Sequence, residues 1–147
     1  MGRQENAEGK FREGYNCAQS VFWSFTDKLG IERDFALKSA TGFGGGMGRK
    51  QEVCGALSGG VMVLNVLYGR GEHDDKQKQE DTYSKVRLLF DKFEAKHGSV
   101  NCGRLLGGCV LLTPEGQEIF KSKNLIEKCR GYVRDVVAIL DEMLDRR

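Results

Sequence analysis

Cys54-Gly-Ala-Leu-Ser-Gly-Gly-Val-Met-Val-Leu-Asn-Val-Leu-Tyr68 sets Cys54, Leu57, Val61, Leu64 and Tyr68 at successive spacings of 3, 4, 3 and 4. That is the period of one face of an α-helix, and no strand-like alternation competes with it. The stretch reads as a buried core helix with Cys54 at its N-terminal end. Gly55 and Gly59 lie four apart on one side of it, as do Ala56 and Gly60. Small residues at that spacing let a second backbone approach closely, within a monomer or across a homodimer.

The helical period continues outward in both directions. Upstream, Ala18, Val21, Phe22, Phe25 and Leu29 form one face of a first helix that Gly30 ends. A short helix follows from about Glu32 to Ala40. Downstream, a polar link leads into a charged helix from about Asp74 to Lys96, with Tyr83, Val86, Leu89, Phe90 and Phe93 inward and Gly98 as its stop. Asn101 to Leu106 holds a helical turn or two. Pro114 suits the first turn of a helix capped by Thr113. Asn124 is read as the cap of a last helix whose apolar stripe is Ile126, Cys129, Val133, Val136, Val137, Leu140 and Leu144. The fold expected over residues 1–147 is an all-α, single-domain bundle of about five main helices.

Between the second and third of these helices runs Thr41-Gly-Phe-Gly-Gly-Gly-Met-Gly-Arg-Lys50. Five glycines in the seven residues from Gly42 to Gly48 are too costly entropically for regular helix, so the segment is expected to be a loop. Its amides, together with Arg49 and Lys50, would suit an anion or small ligand. Neither the dinucleotide nor the P-loop register matches, and no strand precedes it. A narrower use is to lower the pKa of Cys54, since a sulfur in the first turn of a helix meets unpaired amides and the positive dipole end. On that reading Cys54 is the most reactive thiol. The competing reading is a tight packing corner.

The chain carries 23 basic and 21 acidic residues, a net charge of +2, with 39% hydrophobic and 30% charged residues. So even a balance gives no reason to expect nucleic acid or an anionic membrane as partner. The longest apolar run, Val53 to Tyr68, is broken by Ser58, glycines and Asn65, and is shorter than the roughly 20 residues a bilayer requires. The polar start, Met1-Gly-Arg-Gln-Glu-Asn, lacks the apolar stretch of a secretory signal, and the cytoplasm is the expected address.

In that reducing compartment the five cysteines, Cys17, Cys54, Cys102, Cys109 and Cys129, are not expected to form structural disulfides. No Cys-x-x-Cys occurs, which removes the thioredoxin, zinc-ribbon and ferredoxin spacings. Spacing alone leaves two readings open: five buried small hydrophobes, or a thiol site assembled in space from separate helices. His73 and His97 are the only histidines, and His97 reads as a cap on the end of its helix. The charged run from Glu72 to Asp81 reads as a solvated helix face.

Tyr15-Asn-Cys17-Ala-Gln, Phe43-Gly-Gly-Gly-Met-Gly48, Cys54-Gly-Ala-Leu-Ser-Gly59, Asn101-Cys102-Gly-Arg-Leu-Leu-Gly107 and the late Cys129 together resemble the C-GCAxxG-C-C family of small bacterial and archaeal proteins, described as redox-active. The resemblance runs from about Gly14 to Cys129. It implies that Cys17, Cys54, Cys102 and Cys129 are the redox thiols and, where a metal centre is present, its ligands. It leaves Cys109 as an extra, buried cysteine. The backbone around the thiolates would come from Gly45, Gly46, Met47 and Gly55.

The resemblance also implies an iron–sulfur cluster more readily than zinc, because a similar domain accompanies a multihaem cytochrome for which such a cluster was proposed. The alternative redox form is one or two reversible disulfides. Either form requires a redox partner protein or a small-molecule electron donor. The rival functional classes are a non-enzymatic helical interaction module with inert cysteines and an anion binder at the Gly42–Lys50 loop.

Overall fold

The computed structural model describes residues 2–145, and among them the protein is all-α. Its helices, in chain order, are α1 (Arg3–Arg12), α2 (Cys17–Ser24), α3 (Thr26–Leu29), α4 (Arg33–Ala40), a 3-10 turn (Thr41–Phe43), α5 (Gly44–Met47), α6 (Gly55–Tyr68), α7 (Lys76–His97), α8 (Cys102–Leu105), α9 (Pro114–Ser122) and α10 (Ile126–Asp145). The apolar α6 sits centrally, packed against α2, α7 and α10. Helix α2 also packs on α1, α4 and α10. Phe22, Phe25, Leu57, Leu64, Leu89, Phe93 and Leu140 are fully buried where these helices meet.

Glycines on two sides of α6 make the central position possible. A Cβ at Gly59 would stand 2.7 Å from the Ala18 carbonyl oxygen of α2. A Cβ at Gly60 would stand 2.9 Å from Val136 and 3.0 Å from Leu89. The small-residue face read from the sequence is thus spent inside the chain, on α2. The buried side of α6 is accordingly broader than the Leu57–Val61–Leu64 stripe, and Val61 is only partly buried while Ala56 and Val63 are fully so.

Several helical expectations shift in detail. The polar N-terminal segment forms α1, held by charge as much as by packing. Buried Glu8 accepts hydrogen bonds from Arg130 and Arg134 of α10. The first apolar helix breaks at Phe25 into α2 and α3, and Gly30, in the left-handed region, closes it. Tyr83, expected inward, is exposed; Thr82 is buried in its place, its hydroxyl donating to the Tyr68 carbonyl. Ile126 is likewise half-exposed. His97 does not cap α7 but pairs with Asp135 of α10 at 2.8 Å. Asn124, at φ +52°, acts on α9: the Asn124 and Leu125 amides donate to the Lys121 and Phe120 carbonyls in a Schellman closure.

The Glu8 cluster yields a pH-dependent prediction. Burial pushes the Glu8 carboxyl up, but the Arg134 and Arg130 guanidiniums outweigh it and hold it below its ordinary 4.5. A depressed carboxyl stabilises the fold above its unfolded pKa, and that stabilisation is lost as pH falls through the folded value. Glu8→Gln should lower the melting temperature at neutral pH by roughly 3 °C, an effect kept small by the exposure of both arginines. The gap between variant and wild type should close as pH drops below about 4.5. Thermal melts across that range measure both.

Candidate functional site: four cysteines on one cavity

Each of four cysteines stands at the start of a helix. Cys17 is the first residue of α2, behind Asn16. The Asn16 side chain accepts from the Gln19 amide while Gln19 reaches back to the Asn16 amide, a reciprocal capping box. Cys102 begins α8 behind Asn101, whose side chain accepts from the Arg104 amide. Cys54 is the N-cap of α6, and Cys129 lies in the first turn of α10. Asparagine before cysteine, at 16 and again at 101, is the local signal that two of these sulfurs sit at helix starts.

Backbone pairing and close glycines then bring the four starts together. Val53 and Asn101 form an antiparallel bridge. Around it the Cys54 amide donates to the Val100 carbonyl at 2.9 Å and the Cys102 amide to the Glu52 carbonyl at 2.6 Å. This pairing holds Cys54 beside Cys102. Gly55 seats α2 against α6, since a Cβ there would meet Cys17 Cβ at 3.3 Å and the Phe43 carbonyl at 3.0 Å. Gly44 leaves room for Asn16, whose Nδ2 donates to the Thr41 carbonyl. Gly46 is buried against Cys102 and the 51–52 backbone.

The glycine segment is a wound structure. Gly45, Gly46, Met47, Gly48, Arg49 and Gln51 all have positive φ, so the chain turns left-handed through most of it. The Gly48, Gln51 and Glu52 amides close it by donating to the Gly42, Gly45 and Gly46 carbonyls. Gln51 then fastens the 109–111 segment: its side chain donates to the Cys109 carbonyl and accepts from the Leu111 amide.

The result is a cavity of about 470 Å³ lined by Cys17, Cys54, Cys102 and Cys129. Gly44, Gly45, Gly48, Arg49 and Gly55 border it on the loop side. Tyr132 lines it too, donating its hydroxyl to the Leu105 carbonyl at 2.9 Å. A second, smaller apolar cluster of Leu106, Cys109, Leu111, Leu125 and Phe120 packs around Cys102 and Cys129 and roofs that side. Met47 is exposed and lies outside the lining. Cys109 is also outside it; its buried thiol donates to the Gly116 carbonyl at 3.1 Å. All five cysteines are free thiols.

The sulfurs differ in acidity, and the order reverses the expectation for Cys54. Burial pushes the Cys54 thiol up to about 12, against the pull of the Ala56 and Leu57 amides, and the neighbouring Cys102 and Cys129 sulfurs raise it further. Its principal influences include no basic side chain, so Arg49 and Lys50 do not rescue it. Burial, with Cys129 nearby, raises Cys102 to about 11. Cys17 and Cys129 work as a pair. The Cys17 thiol donates to the Cys129 sulfur, which lowers Cys129 despite its burial and, with burial added, raises Cys17 well above the ordinary thiol value. Cys129 is therefore the more acidic sulfur of the pair, and Cys17 the one that keeps its proton.

Among the described residues, no three His, Cys, Asp or Glu side chains are grouped closely enough to hold one metal ion. A tetrahedral zinc with 2.3 Å bonds to sulfur needs its sulfurs only about 3.8 Å apart. A cluster spreads its thiolates over separate irons, so four sulfurs around one cavity fit it better than a single ion.

No described helix is long and apolar enough to cross a membrane. A family model described as "Putative redox-active protein (C_GCAxxG_C_C)" matches residues 15–143. An uncharacterized protein of Archaeoglobus fulgidus is 33% identical over 101 residues, 63% of this chain. The match spans 66% of that protein, just under two thirds of its length. No solved structure matches significantly.

Proposed function

We propose, from the premise that this chain belongs to the C_GCAxxG_C_C family of redox-active proteins, that Cys17, Cys54, Cys102 and Cys129 form a single electron-transfer centre that holds an iron–sulfur cluster. The observation that carries this reading is the meeting of four cysteines from four separate helix starts on one cavity, with the fifth left out. Bound there, a cluster would accept and release single electrons for a redox partner protein or a small-molecule donor. The protein's part is positional and electrostatic. At the start of α6 the Ala56 and Leu57 amides favour the charged form of Cys54. The apolar roof around Leu106, Leu111 and Phe120 limits water. Burial first, and repulsion from the neighbouring sulfurs second, leave Cys54 and Cys102 weakly acidic, a cost that a bound cation would offset.

A second reading rests on the Cys17–Cys129 pair. A thiol hydrogen-bonded to a more acidic sulfur is poised for disulfide formation: once Cys129 has ionised, the two sulfurs bond, two electrons pass to an oxidant and the one remaining proton, that of Cys17, leaves to solvent.

Protein purified without oxygen, or reconstituted with iron and sulfide, should be coloured and contain both elements. Serine in place of any one of Cys17, Cys54, Cys102 or Cys129 should remove most of the bound iron, whereas Cys109→Ser should retain it. A colourless wild-type protein that takes up no iron, yet forms a Cys17–Cys129 disulfide under mild oxidant, would transfer the function to the second reading. Failure of both would sink the redox site altogether.

A further inference from the structure

Within the lining of the cysteine cavity, among the described residues, Arg49 is the one basic side chain, and no carboxylate accompanies it. Its side chain makes no hydrogen bond or ion pair with another described residue, although five of the other eight described arginines do. It folds back over the loop: a Cβ at Gly45 would meet Arg49 Cγ at 2.8 Å and Leu111 Cδ1 at 3.8 Å.

The backbone beneath it is strained for an arginine. Arg49 has φ +66°, within a run where Gly45, Gly46 and Gly48 take the same region without penalty. Glycine would serve the turn better. Local conformation therefore does not account for an arginine here, whereas a guanidinium at the rim does.

The cavity's volume, about 470 Å³, falls in the range of small-ligand sites. Phe11, Leu105, Leu106, Leu111, Phe120 and Ile126 give it apolar walls, and its other polar side chains, Asn16, Thr41, Gln117 and Tyr132, are uncharged. One unpaired cation at the edge of an apolar cavity is the recognition pattern for a small compound with an anionic group and an apolar body.

We infer that Arg49 is a specificity-determining residue that admits small anionic reactants, of the carboxylate or oxyanion class, to the cysteine cavity. This deepens the reading of those cysteines as the redox centre and names the class of compound that reaches it. Lys50, exposed and outside the lining, takes no part.

Iodoacetate and iodoacetamide test this on metal-free, reduced protein. Both react alike: the thiolate displaces iodide, a carbon–sulfur bond forms and the carbon–iodine bond breaks. They differ in one negative charge. Rates at Cys129, followed by peptide mass spectrometry and normalised to unfolded protein, give an anion preference.

Arg49→Gly, which the left-handed backbone accepts, should slow iodoacetate by about three- to tenfold, the effect of one partly screened charge at short range. Iodoacetamide should change less than twofold. Arg49→Lys should keep most of the preference, and Lys50→Gln all of it. In wild type, added salt should slow iodoacetate alone. An equal preference in wild type and Arg49→Gly, or a wild-type preference indifferent to salt, overturns the proposal. The redox reading is judged separately by iron uptake and disulfide formation. An anion preference without either would leave the port standing and remove the redox centre, and the reverse result would do the opposite.

Discussion

Gly46→Ala is expected to destabilise the protein by about 3–4 kcal/mol and to disable the cysteine site, although the change adds a single methyl group. Gly46 has φ +67°, where an L-residue costs roughly 1–2 kcal/mol. Its new Cβ would stand 2.7 Å from the Glu52 amide nitrogen, 2.8 Å from Gln51 Cα and 2.8 Å from Cys102 Cβ. Two of these are backbone atoms, which cannot swing aside, so overpacking adds about 1–3 kcal/mol. Relief would come from displacing the 51–52 segment, the one whose carbonyls accept from Cys102 and Gly103. Cys102 would move with it. The expected results are a melting temperature lower by about 10 °C and loss of cluster retention in whatever fraction still folds. Gly42→Ala is the control. Its Cβ would meet nothing within 4 Å and its φ is not left-handed, so stability should stay close to wild type. Equal melts for the two variants would show that Gly46 is no structural pivot.

Cys17→Ala is expected to slow alkylation of Cys129 by iodoacetamide about tenfold near neutral pH. The Cys17 thiol is the first cause of the lowered Cys129 pKa, and burial works against it. A hydrogen bond to a charged acceptor contributes about 1.5–3 kcal/mol, and each 1.4 kcal/mol is a factor of ten. Without the donor only the opposing burial and Cys129's own backbone contact remain, so the pKa rises and the thiolate fraction at neutral pH falls. The rate–pH curve should shift to higher pH while its upper plateau stays put. Cys17→Ser, which returns an O–H donor, should recover part of the rate. If the alanine variant instead left the midpoint unmoved, the Cys129 thiolate would owe its stability to the α10 helix start alone. In wild-type protein Cys129 should react first, and Cys54 and Cys102 far more slowly.

The helices were legible because their causes are local. A stripe such as Val133, Val136, Val137, Leu140 and Leu144 repeats at 3.6 residues whatever lies opposite, and each of these side chains is buried. Stops at Gly30 and Gly98 were legible for the same reason, both falling in the left-handed region that glycine tolerates. Helix α1 was not legible, because its partners are distant. Glu8 is buried only through Arg130 and Arg134, more than a hundred residues away. Tyr83 and Thr82 exchanged places because a hydroxyl found the Tyr68 carbonyl across a helix junction, a contact that no periodicity encodes.

The chain alone was therefore enough to read the helical class and to mark the glycine segment as irregular, and the family resemblance picked out four cysteines as candidates. Tertiary structure decided how they meet and how they differ. The Val53–Asn101 bridge puts Cys54 beside Cys102, and the clearances at Gly55 and Gly46 let Cys17 and Cys102 approach their neighbours. Acidity is a property of that meeting. A helix start promises a reactive Cys54, but the promise assumes water, and burial under the core reverses it. Cys129 becomes the more acidic sulfur because Cys17, from the far end of the chain, arrives with a proton to share. Helix periods are written by neighbours in sequence. Desolvation and sulfur–sulfur contact depend on neighbours in space, and these exist only once the chain has folded.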